Sequence, residues 1–236
     1  ASIGFGQFAH ALRRGVNMTY IVENNGVYGL TKGQFSATAD RGSKSKKGAV
    51  NTDNAIDLAA MALQLGATFV ARSFSGDKTQ LVPIIKAAIA HRGAAFIDVI
   101  SPCIAFNNHP GSTKSLDYVR AHNEAVNALD IMIGRDAITV DYEPGKVVEV
   151  TQHDGSVLTL RKLNDDYDPS DRLAAMNFLQ QEAAKGRIVT GLLYVDGEAD
   201  DLHRHFNTVP TPLNQLNEPE LCPGSKVLDK INAGLR

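Results

Sequence analysis

Segments of helical and strand character alternate along the first hundred residues. Phe5, Phe8, Ala9 and Leu12 follow helical spacing, with Gly15 as a stop, and "MTYIV" (18–22) has the character of a buried strand. Two helix–strand pairs follow, "NAIDLAAMALQLG" with "TFVARSF" and "KTQLVPIIKAAIAHRG" with "AAFIDVIS". Such pairs with short connections are typical of parallel strands joined by helices, so we predict an α/β fold with a mostly parallel sheet covered by helices.

The pattern changes after about residue 125. "GKVVEVTQHDGSVLTLRK" predicts a β-hairpin that turns at Asp154–Gly155. "SDRLAAMNFLQQEAAKG" predicts a helix that Ser170 or Asp171 caps and Gly186 ends, and a strand, a proline-rich tail and a short helix follow. We therefore predict two parts, residues 1–125 and a C-terminal α+β extension over residues 126–236.

Composition excludes several classes of protein. The net charge of −2 argues against nucleic-acid binding, which usually requires a basic excess. No apolar run approaches the roughly 18 residues that span a bilayer, and the N-terminus lacks a signal-peptide pattern. The two cysteines, Cys103 and Cys222, are too few for a disulfide framework. We predict a cytoplasmic protein with neither nucleic acid nor membrane among its partners.

Loops that follow predicted strands are the candidate binding segments. "ENNGVYGLTKGQ" (23–34) and "PCIAFNNHPGS" (102–112) each follow a strand, and a third loop spans Ser73–Asp77. In open parallel sheets ligands bind at the carboxyl ends of the strands, so these loops are expected to converge. A connection of some thirty residues after the first strand is long for a plain turn. An ordinary Asn-Gly turn nevertheless stays open as the alternative.

The chemistry of the first loop suits a cation and a phosphate. Asparagine side-chain oxygens and exposed backbone carbonyls are hard ligands of the kind that Mg²⁺ prefers. Gly29 and Gly33 allow the backbone to approach a phosphate closely, and Thr31 can donate a hydrogen bond to it.

Two longer stretches resemble a known family. "HALRRGVNMTYIVENNGVYGLTKGQFSAT" with "SPCIAFNNHPGSTKS" resembles the β subunits of 2-oxoacid:ferredoxin oxidoreductases, which bind thiamine diphosphate. A looser likeness continues through "HDGSVLTLRK", "YDPSDR" and "VTGLLYVD". The resemblance implies a thiamine-diphosphate-binding fold, with residues 1–125 as the C-terminal part of that domain. The family's Gly-Asp-Gly signature is expected upstream of "ASIG", so we expect the sequence to lack an N-terminal segment.

The resemblance also assigns roles to residues of the first loop. It implies that the Asn25 side chain and the Val27 backbone carbonyl bind Mg²⁺, and that Asn24 shapes the turn. The residues that it places around the diphosphate of the cofactor are Gly29, Leu30 and Thr31.

Lys32 and Cys103 each have an ordinary reading and a functional one. Lys32 is most simply a solvated surface lysine; the resemblance implies that it meets a substrate carboxylate, as suits a 2-oxoacid with a second carboxylate such as 2-oxoglutarate. A lone cysteine such as Cys103 is usually a small buried hydrophobe, and a 4Fe–4S cluster needs four thiolates. The resemblance implies that Cys103 is the fourth ligand of such a cluster, with three companions upstream.

The resemblance implies a hetero-oligomeric enzyme with an α subunit as partner. Its expected reaction is the oxidative decarboxylation of a 2-oxoacid, 2-oxoglutarate or pyruvate, to acyl-CoA and CO₂. Electrons would pass through the 4Fe–4S cluster to ferredoxin. Two alternatives stay open: a non-oxidative thiamine-diphosphate-dependent decarboxylase or transferase, and a non-catalytic assembly subunit that retains the fold.

Overall fold

A computed structural model describes residues 3–28, 34–42, 49–101, 138–151, 157–222 and 224–235. The chain divides into two compact units, Ala1–Leu202 and His203–Arg236. No helix within the described ranges is long and apolar enough to cross a bilayer.

The first unit alternates helices and strands in the predicted order. Its helices are α1 (Phe5–Arg13), α2 (Leu58–Gln64), α3 (Lys78–Ala90) and α4 (Arg172–Ala184). Its strands are β1 (Met18–Asn24), β2 (Val27–Tyr28), β3 (Gln34–Phe35), β4 (Phe69–Phe74), β5 (Ala94–Ile100), β6 (Val147–Thr151), β7 (Val157–Lys162) and β8 (Ile188–Val195). A short helix, α5 (Leu202–His205), begins at the last residue of this unit, and the second unit contains a 3₁₀ turn (Leu213–Gln215), α6 (Glu218–Leu221) and α7 (Ser225–Gly234).

Six strands form one sheet in the order β1-β5-β4-β8-β7-β6. Strands β1, β5 and β4 are mutually parallel, and β7 is parallel to β8. The antiparallel pairs are β4 with β8 and the predicted hairpin of β6 with β7. The predicted α/β fold with a mostly parallel sheet is therefore confirmed. Outside this sheet, β2 and β3 form a two-stranded antiparallel ribbon.

Helices cover both faces of the sheet because alternate strand residues point to opposite sides. Val70 and Phe96 point to the face on which α1, α2 and α4 pack, and the Phe8 ring of α1 meets Phe96 edge-on at 5.1 Å between centroids. Ala71 and Ile97 point to the opposite face and pack against α3. Strand β4 is buried along its whole length, so the core lies on both sides of it.

Helix ends follow local side-chain chemistry. Gly15 ends α1 with φ +63° and Gly186 follows α4 with φ +70°, a left-handed conformation that glycine adopts without strain. Asp171 caps α4 by accepting hydrogen bonds from the backbone N–H groups of Leu173 and Ala174. Asp57 caps α2 in the same way through Ala60, so α2 begins at Leu58 rather than at the start of its apolar pattern.

The predicted boundary between residues 125 and 126 lies outside the described residues and stays a prediction. Strands from both predicted parts nevertheless belong to one sheet, because β8 pairs with β4 and β7 with β8. The C-terminal extension thus widens the sheet of the first part up to Leu202.

Candidate functional site

The three parallel strands end together at one edge of the sheet. Asn24 of β1 is in register with Ile100 of β5, and Ile100 with Phe74 of β4. The Ser101 N–H donates to the Asn24 carbonyl at 2.9 Å, and the Ser75 N–H donates to the Ile100 carbonyl at 2.9 Å. The three predicted loops therefore start from neighbouring points, as the sequence predicted.

The third loop, Ser73–Asp77, packs against residues 138–140 of the same chain. Gly76 packs against the backbone of Ile138 so closely that a Cβ atom would lie 1.9 Å from the Ile138 carbonyl oxygen. The Val140 N–H also donates to the Gly76 carbonyl, at 3.3 Å. Only glycine fits here, and the loop serves to hold residues 138–140 on the sheet edge.

The first loop opens with a tight turn at Asn25. The Asn25 Oδ1 atom accepts the Val27 N–H at 3.1 Å, and Gly26 has φ +69°. The Gly26 carbonyl accepts the Ser36 N–H at 2.9 Å, where the ribbon of β2 and β3 begins. We expected Asn24 to shape this turn. Instead Asn25 makes the side-chain bond, and Asn24 is the last residue of β1.

A small cleft lies between the end of β1 and this ribbon. Its volume is about 200 Å³. The residues that line it are Val22, Glu23, Asn24, Asn25, Val27, Tyr28, Ser36, Thr38 and Leu58. The Ser36 and Thr38 hydroxyl oxygens are 2.8 Å apart at its wall. The cleft thus presents amide, backbone and hydroxyl oxygens, the donor types predicted for a Mg²⁺–phosphate site.

Asn51 holds the far part of the loop. Its buried Nδ2 atom donates to the carbonyls of Ala39 at 2.9 Å and Asp40 at 3.1 Å. Its Oδ1 atom accepts the Asp53 N–H at 3.2 Å. Sequence reasoning missed this residue, because an asparagine within a polar loop carries no periodic signal.

A buried ionic cluster lies beside the cleft, on the α2 face of the sheet. It consists of Arg72 on β4, Asp98 on β5 and Asp57 at the start of α2, and is called here the Arg72 cluster. The Arg72 Nε atom donates to Asp98 Oδ2 at 2.8 Å, and Nη2 donates to Asp57 Oδ1. The side chains of Arg72 and Asp98 are 7% and 1% exposed. The cluster therefore ties two strands to a helix inside the core.

The two carboxylates of this cluster have different electrostatic environments. Burial raises the pKa of Asp98, although the Arg72 charge and the nearby Asn24 amide act in the opposite direction. Burial also opposes ionisation of Asp57, but the Arg72 charge and backbone N–H donors outweigh it and lower the pKa of Asp57. One guanidinium thus fully compensates only one of its two carboxylates.

The predicted site residues are only partly within the described structure. Asn25 and Val27 meet at the cleft. The other predicted residues lie outside the described residues and stay predictions: Gly29, Leu30, Thr31, Lys32 and Cys103. The sequence did carry a signal for the Arg72 cluster that we did not use, since Arg72 and Asp98 are charges of opposite sign within otherwise apolar strands.

Comparisons with known proteins agree with the predicted family. Residues 1–99 match the family described as "Thiamine pyrophosphate enzyme, C-terminal TPP binding domain". The chain is 50% identical over 109 residues to the 2-oxoacid:ferredoxin oxidoreductase subunit beta of Saccharolobus solfataricus, covering 45% of this chain and 35% of that protein. It is 40% identical over 108 residues to the 2-oxoglutarate oxidoreductase subunit KorB of Mycobacterium tuberculosis, covering 45% and 29%.

A solved structure extends the similarity in space. The 2-oxoglutarate:ferredoxin oxidoreductase from Magnetococcus marinus, with 2-oxoglutarate, coenzyme A and succinyl-CoA bound, superposes with a TM-score of 0.59 at 26% identity, over 90% of this chain and 61% of that chain. The aligned segments span about a third of the length of the curated relatives. The predicted resemblance is confirmed as a similarity: residues 1–99 match the thiamine pyrophosphate enzyme C-terminal TPP-binding domain, and the chain is similar to β subunits of 2-oxoacid:ferredoxin oxidoreductases.

Proposed function

We propose that this chain is the cofactor-binding subunit of a 2-oxoacid:ferredoxin oxidoreductase. The observation that carries the proposal is the Asn25 turn at the carboxyl edge of three parallel strands, inside the segment that matches TPP-binding domains. The enzyme would oxidise a 2-oxoacid and coenzyme A to an acyl-CoA and CO₂, with two electrons passing to ferredoxin. The 2-oxoglutarate named for the Magnetococcus marinus protein favours that substrate over pyruvate.

The donor groups of the cleft fit Mg²⁺ and a diphosphate. The Asn25 Oδ1 atom accepts one N–H, and an amide oxygen keeps a second lone pair for a cation. The Val27 carbonyl and the Ser36 and Thr38 hydroxyls add oxygen and O–H groups. Among the described residues, no three His, Cys, Asp or Glu side chains gather as a metal site. The oxygens named above are neutral, and Glu23 is the carboxylate among the residues that line the cleft. Such a set suits a Mg²⁺ ion that shares its coordination with phosphate oxygens.

Each predicted residue has a distinct task in this proposal. Asn25 and the Val27 carbonyl hold Mg²⁺, and Gly29, Leu30 and Thr31 let the backbone meet the diphosphate. Lys32 pairs with the distal carboxylate of the 2-oxoacid and so orients the ketone. Thiamine diphosphate, when bound, supplies the nucleophilic carbon and the electron sink for decarboxylation. Cys103 contributes one thiolate to a 4Fe–4S cluster, the outlet for single electrons. The α subunit would complete the enzyme.

Binding of the cofactor tests the core of the proposal. The complete protein, assembled with its partner subunit, is titrated with thiamine diphosphate at saturating Mg²⁺, and thermal unfolding is followed with and without ligand. We expect binding and a raised unfolding midpoint, because a ligand that binds only the folded state stabilises it. Asn25→Ala should abolish most of this shift. Absence of a shift in the wild-type protein would refute the cofactor assignment and favour the non-catalytic assembly subunit.

Asp168→Ala is the matched control for Asn25→Ala. Asp168 Oδ1 accepts the Ser170 N–H at 2.9 Å, so it makes the same kind of two-residue turn bond at a position that does not line the cleft. Its substitution should leave thiamine diphosphate affinity unchanged. A loss of affinity in both variants would show that turn geometry in general, rather than an oxygen ligand at Asn25, explains the effect.

Two further substitutions test the substrate and the electron outlet. Lys32→Ala should raise the KM for 2-oxoglutarate far more than the KM for pyruvate, since only the former has a second carboxylate. Cys103→Ser should remove the visible absorption of the iron–sulfur cluster and the reduction of ferredoxin. Retention of both in the variant would refute the assignment of Cys103 as a cluster ligand. Absence of both from the wild-type enzyme would favour a non-oxidative thiamine-diphosphate-dependent enzyme. An unchanged preference among 2-oxoacids in Lys32→Ala would remove the specificity argument.

A further inference from the structure

Asp98 is a buried polar side chain near the candidate site that is held by the Arg72 cluster. Its side chain is 1% exposed, and its Oδ2 atom accepts from Arg72 Nε at 2.8 Å. Arg72 is held in turn by Asp57, whose Oδ1 atom also caps helix α2 through the Ala60 N–H at 3.0 Å. The Asp98 carboxylate is therefore fixed to both a neighbouring strand and a helix. A group held in this way can orient another group without moving itself.

The second oxygen of Asp98 has no hydrogen-bond partner of ordinary length in the part of the chain that the structure describes. Buried polar atoms are usually satisfied, and an unsatisfied carboxylate oxygen is costly in the core. The Asp98 Oδ1 atom can therefore still accept a hydrogen bond. The nearest candidate donor by strand register is the Asn24 side-chain amide, because Asn24 lies two residues beyond the partner of Asp98 on β1. Its proximity also acts to lower the pKa of Asp98.

Strand register explains why these two side chains meet. Asp98 of β5 is opposite Val22 of β1, and Asn24 lies two residues further along β1. Residues two apart in a strand point to the same face, so Asn24, Asp98 and Arg72 share the face that α2 covers. Asn24 is also the last residue of β1 before the Asn25 turn, and its carbonyl accepts the Ser101 N–H at 2.9 Å.

We propose that Asp98 is a positioning residue for the cofactor site, and that its Oδ1 atom accepts a hydrogen bond from the Asn24 amide. This bond fixes the direction in which the chain leaves β1. The Asn25 and Val27 oxygens then face the cleft in a single arrangement before a cation arrives. Residues that orient metal ligands through hydrogen bonds typically change metal affinity when they are replaced. The inference rests on the proposed function, because it assigns a task toward the same cofactor.

The test is the affinity for thiamine diphosphate at saturating Mg²⁺, measured by calorimetry on the complete protein assembled with its partner subunit. Asp98→Asn keeps the size of the side chain and an oxygen for Arg72, but presents an NH₂ group to Asn24. Asn24 can accept from this NH₂ group only if its own amide turns over, so that its oxygen rather than its NH₂ group faces residue 98. We expect affinity to fall about 10-fold or more.

The reciprocal exchange Asn24→Asp/Asp98→Asn restores a carboxylate–amide pair with the two groups interchanged. It should recover most of the affinity that Asp98→Asn loses, and a purely structural role of Asp98 would not produce that recovery. Asn24→Ala removes the amide while leaving the Arg72 cluster intact, and should weaken binding as Asp98→Asn does. Asn24→Ala is the decisive variant if Asp98→Asn fails to assemble.

Glu182→Gln is the control for general damage to the core. Glu182 is a buried carboxylate with ion pairs to Lys185 and Arg187, and it does not line the cleft. This variant should lower the unfolding midpoint while keeping the affinity for thiamine diphosphate within twofold of wild type. Affinity within twofold of wild type in Asp98→Asn or Asn24→Ala, or no recovery in the reciprocal exchange, would refute the inference alone. Absence of binding in the wild-type protein would refute the proposed function and this inference together.

Discussion

Two buried ionic clusters, each joining a helix to the main sheet, have opposite charge balance. The Arg72 cluster places one guanidinium between two carboxylates, Asp57 and Asp98. At the other cluster, called here the Glu182 cluster, one carboxylate meets Lys185 at 2.6 Å, Arg187 at 3.4 Å and Arg161 at 3.5 Å. The first cluster thus has an excess of negative charge, and the second an excess of positive charge.

The excess positive charge of the Glu182 cluster is more exposed to water than the excess negative charge of the Arg72 cluster. The cations around Glu182 extend outward, and the Lys185 side chain is 52% exposed, so solvent stabilises the surplus there. In the Arg72 cluster the carboxylate of Asp98 is enclosed, and only Asp57 reaches solvent. Burial therefore raises the pKa of Asp98. At Glu182 burial acts in the same direction, but the three cations outweigh it and lower the pKa of Glu182.

The difference separates a cluster in which both oxygens of the buried carboxylate have partners from an incomplete one in which a carboxylate oxygen has none among the described residues. Glu182 has cationic partners for both oxygens, and the Glu182 cluster joins α4 to β7. The Asp98 Oδ1 atom has no hydrogen-bond partner among the described residues, and the Asp98 side chain lies beside Asn24, the last residue of β1. The incomplete cluster is the one next to the candidate site, as expected if its remaining acceptor serves that site.

Removal of Arg72 should give the largest effect. Arg72→Met leaves two carboxylates together in the core, and we expect a loss of about 3–5 kcal/mol in the free energy of unfolding at neutral pH. Arg187→Met in the Glu182 cluster is the control, and should lose less than about 1 kcal/mol because two other cations remain and the site is partly solvated. Urea unfolding of the full chain measures both. Equal losses would contradict the view that the two clusters differ.

Glu182→Gln should have an intermediate effect. The amide removes the charge that three cations share, yet those cations can turn to water, so we expect a loss of about 1–3 kcal/mol in the free energy of unfolding. The same urea titration measures it. A loss as large as that of Arg72→Met would mean that the Glu182 cations are held as tightly as Arg72, and the contrast in solvation would be wrong.

The pH dependence of stability should change in opposite directions in the two clusters. Asp98 has a raised pKa in the folded state, so protonation of Asp98 stabilises the folded protein as the pH falls toward its ordinary value of 3.8. Glu182 has a lowered pKa, so its contribution is present above its ordinary value of 4.5 and is lost as the pH falls through the folded pKa. Asp98→Asn should therefore steepen the loss of stability on acidification, and Glu182→Gln should flatten it.

Urea unfolding at several pH values between about 7 and about 4 measures these slopes, because the slope reports the difference in bound protons between the two states. Lys185→Met, which keeps the Glu182 carboxylate, is the control for a general change in charge and should flatten the slope less than Glu182→Gln does. Parallel profiles for wild type and Asp98→Asn would show that Asp98 titrates at its ordinary value, and that its burial is compensated.

The elements of the fold were predictable because each depends on local pattern. Apolar residues at helical spacing, such as Phe8 and Leu12, and the stop at Gly15 gave the right element at the right place. Asp171 was recognisable as a cap because a short acceptor before a helix is a local signal. The insertion of β8 between β4 and β7 was not predictable, since the apolar pattern of a strand does not specify its neighbour.

The sequence predicted the position of only those site residues that directly follow a predicted strand. Asn25 and Val27 follow a parallel strand directly, so their placement at the sheet edge follows from the fold. The Arg72 cluster unites residues that are 15 and 26 positions apart, and that contact depends on strand order. The roles of the two asparagines depend on a one-residue difference in where β1 ends, and local pattern does not resolve such a difference.

The smallest expected effect isolates the second carboxylate of the Arg72 cluster. Asp57 and Asp171 both cap helices through their side chains, but only Asp57 pairs with an arginine of the cluster. Asp171→Ala should cost about 1 kcal/mol of unfolding free energy, as the loss of a helix cap usually does. Asp57→Ala should cost less than about 1 kcal/mol beyond that, because Arg72 keeps Asp98 and water can replace the half-exposed carboxylate. The two variants are compared by urea unfolding under identical conditions. An extra cost above about 1 kcal/mol for Asp57→Ala would mean that Arg72 requires both carboxylates and that water does not replace the carboxylate of Asp57.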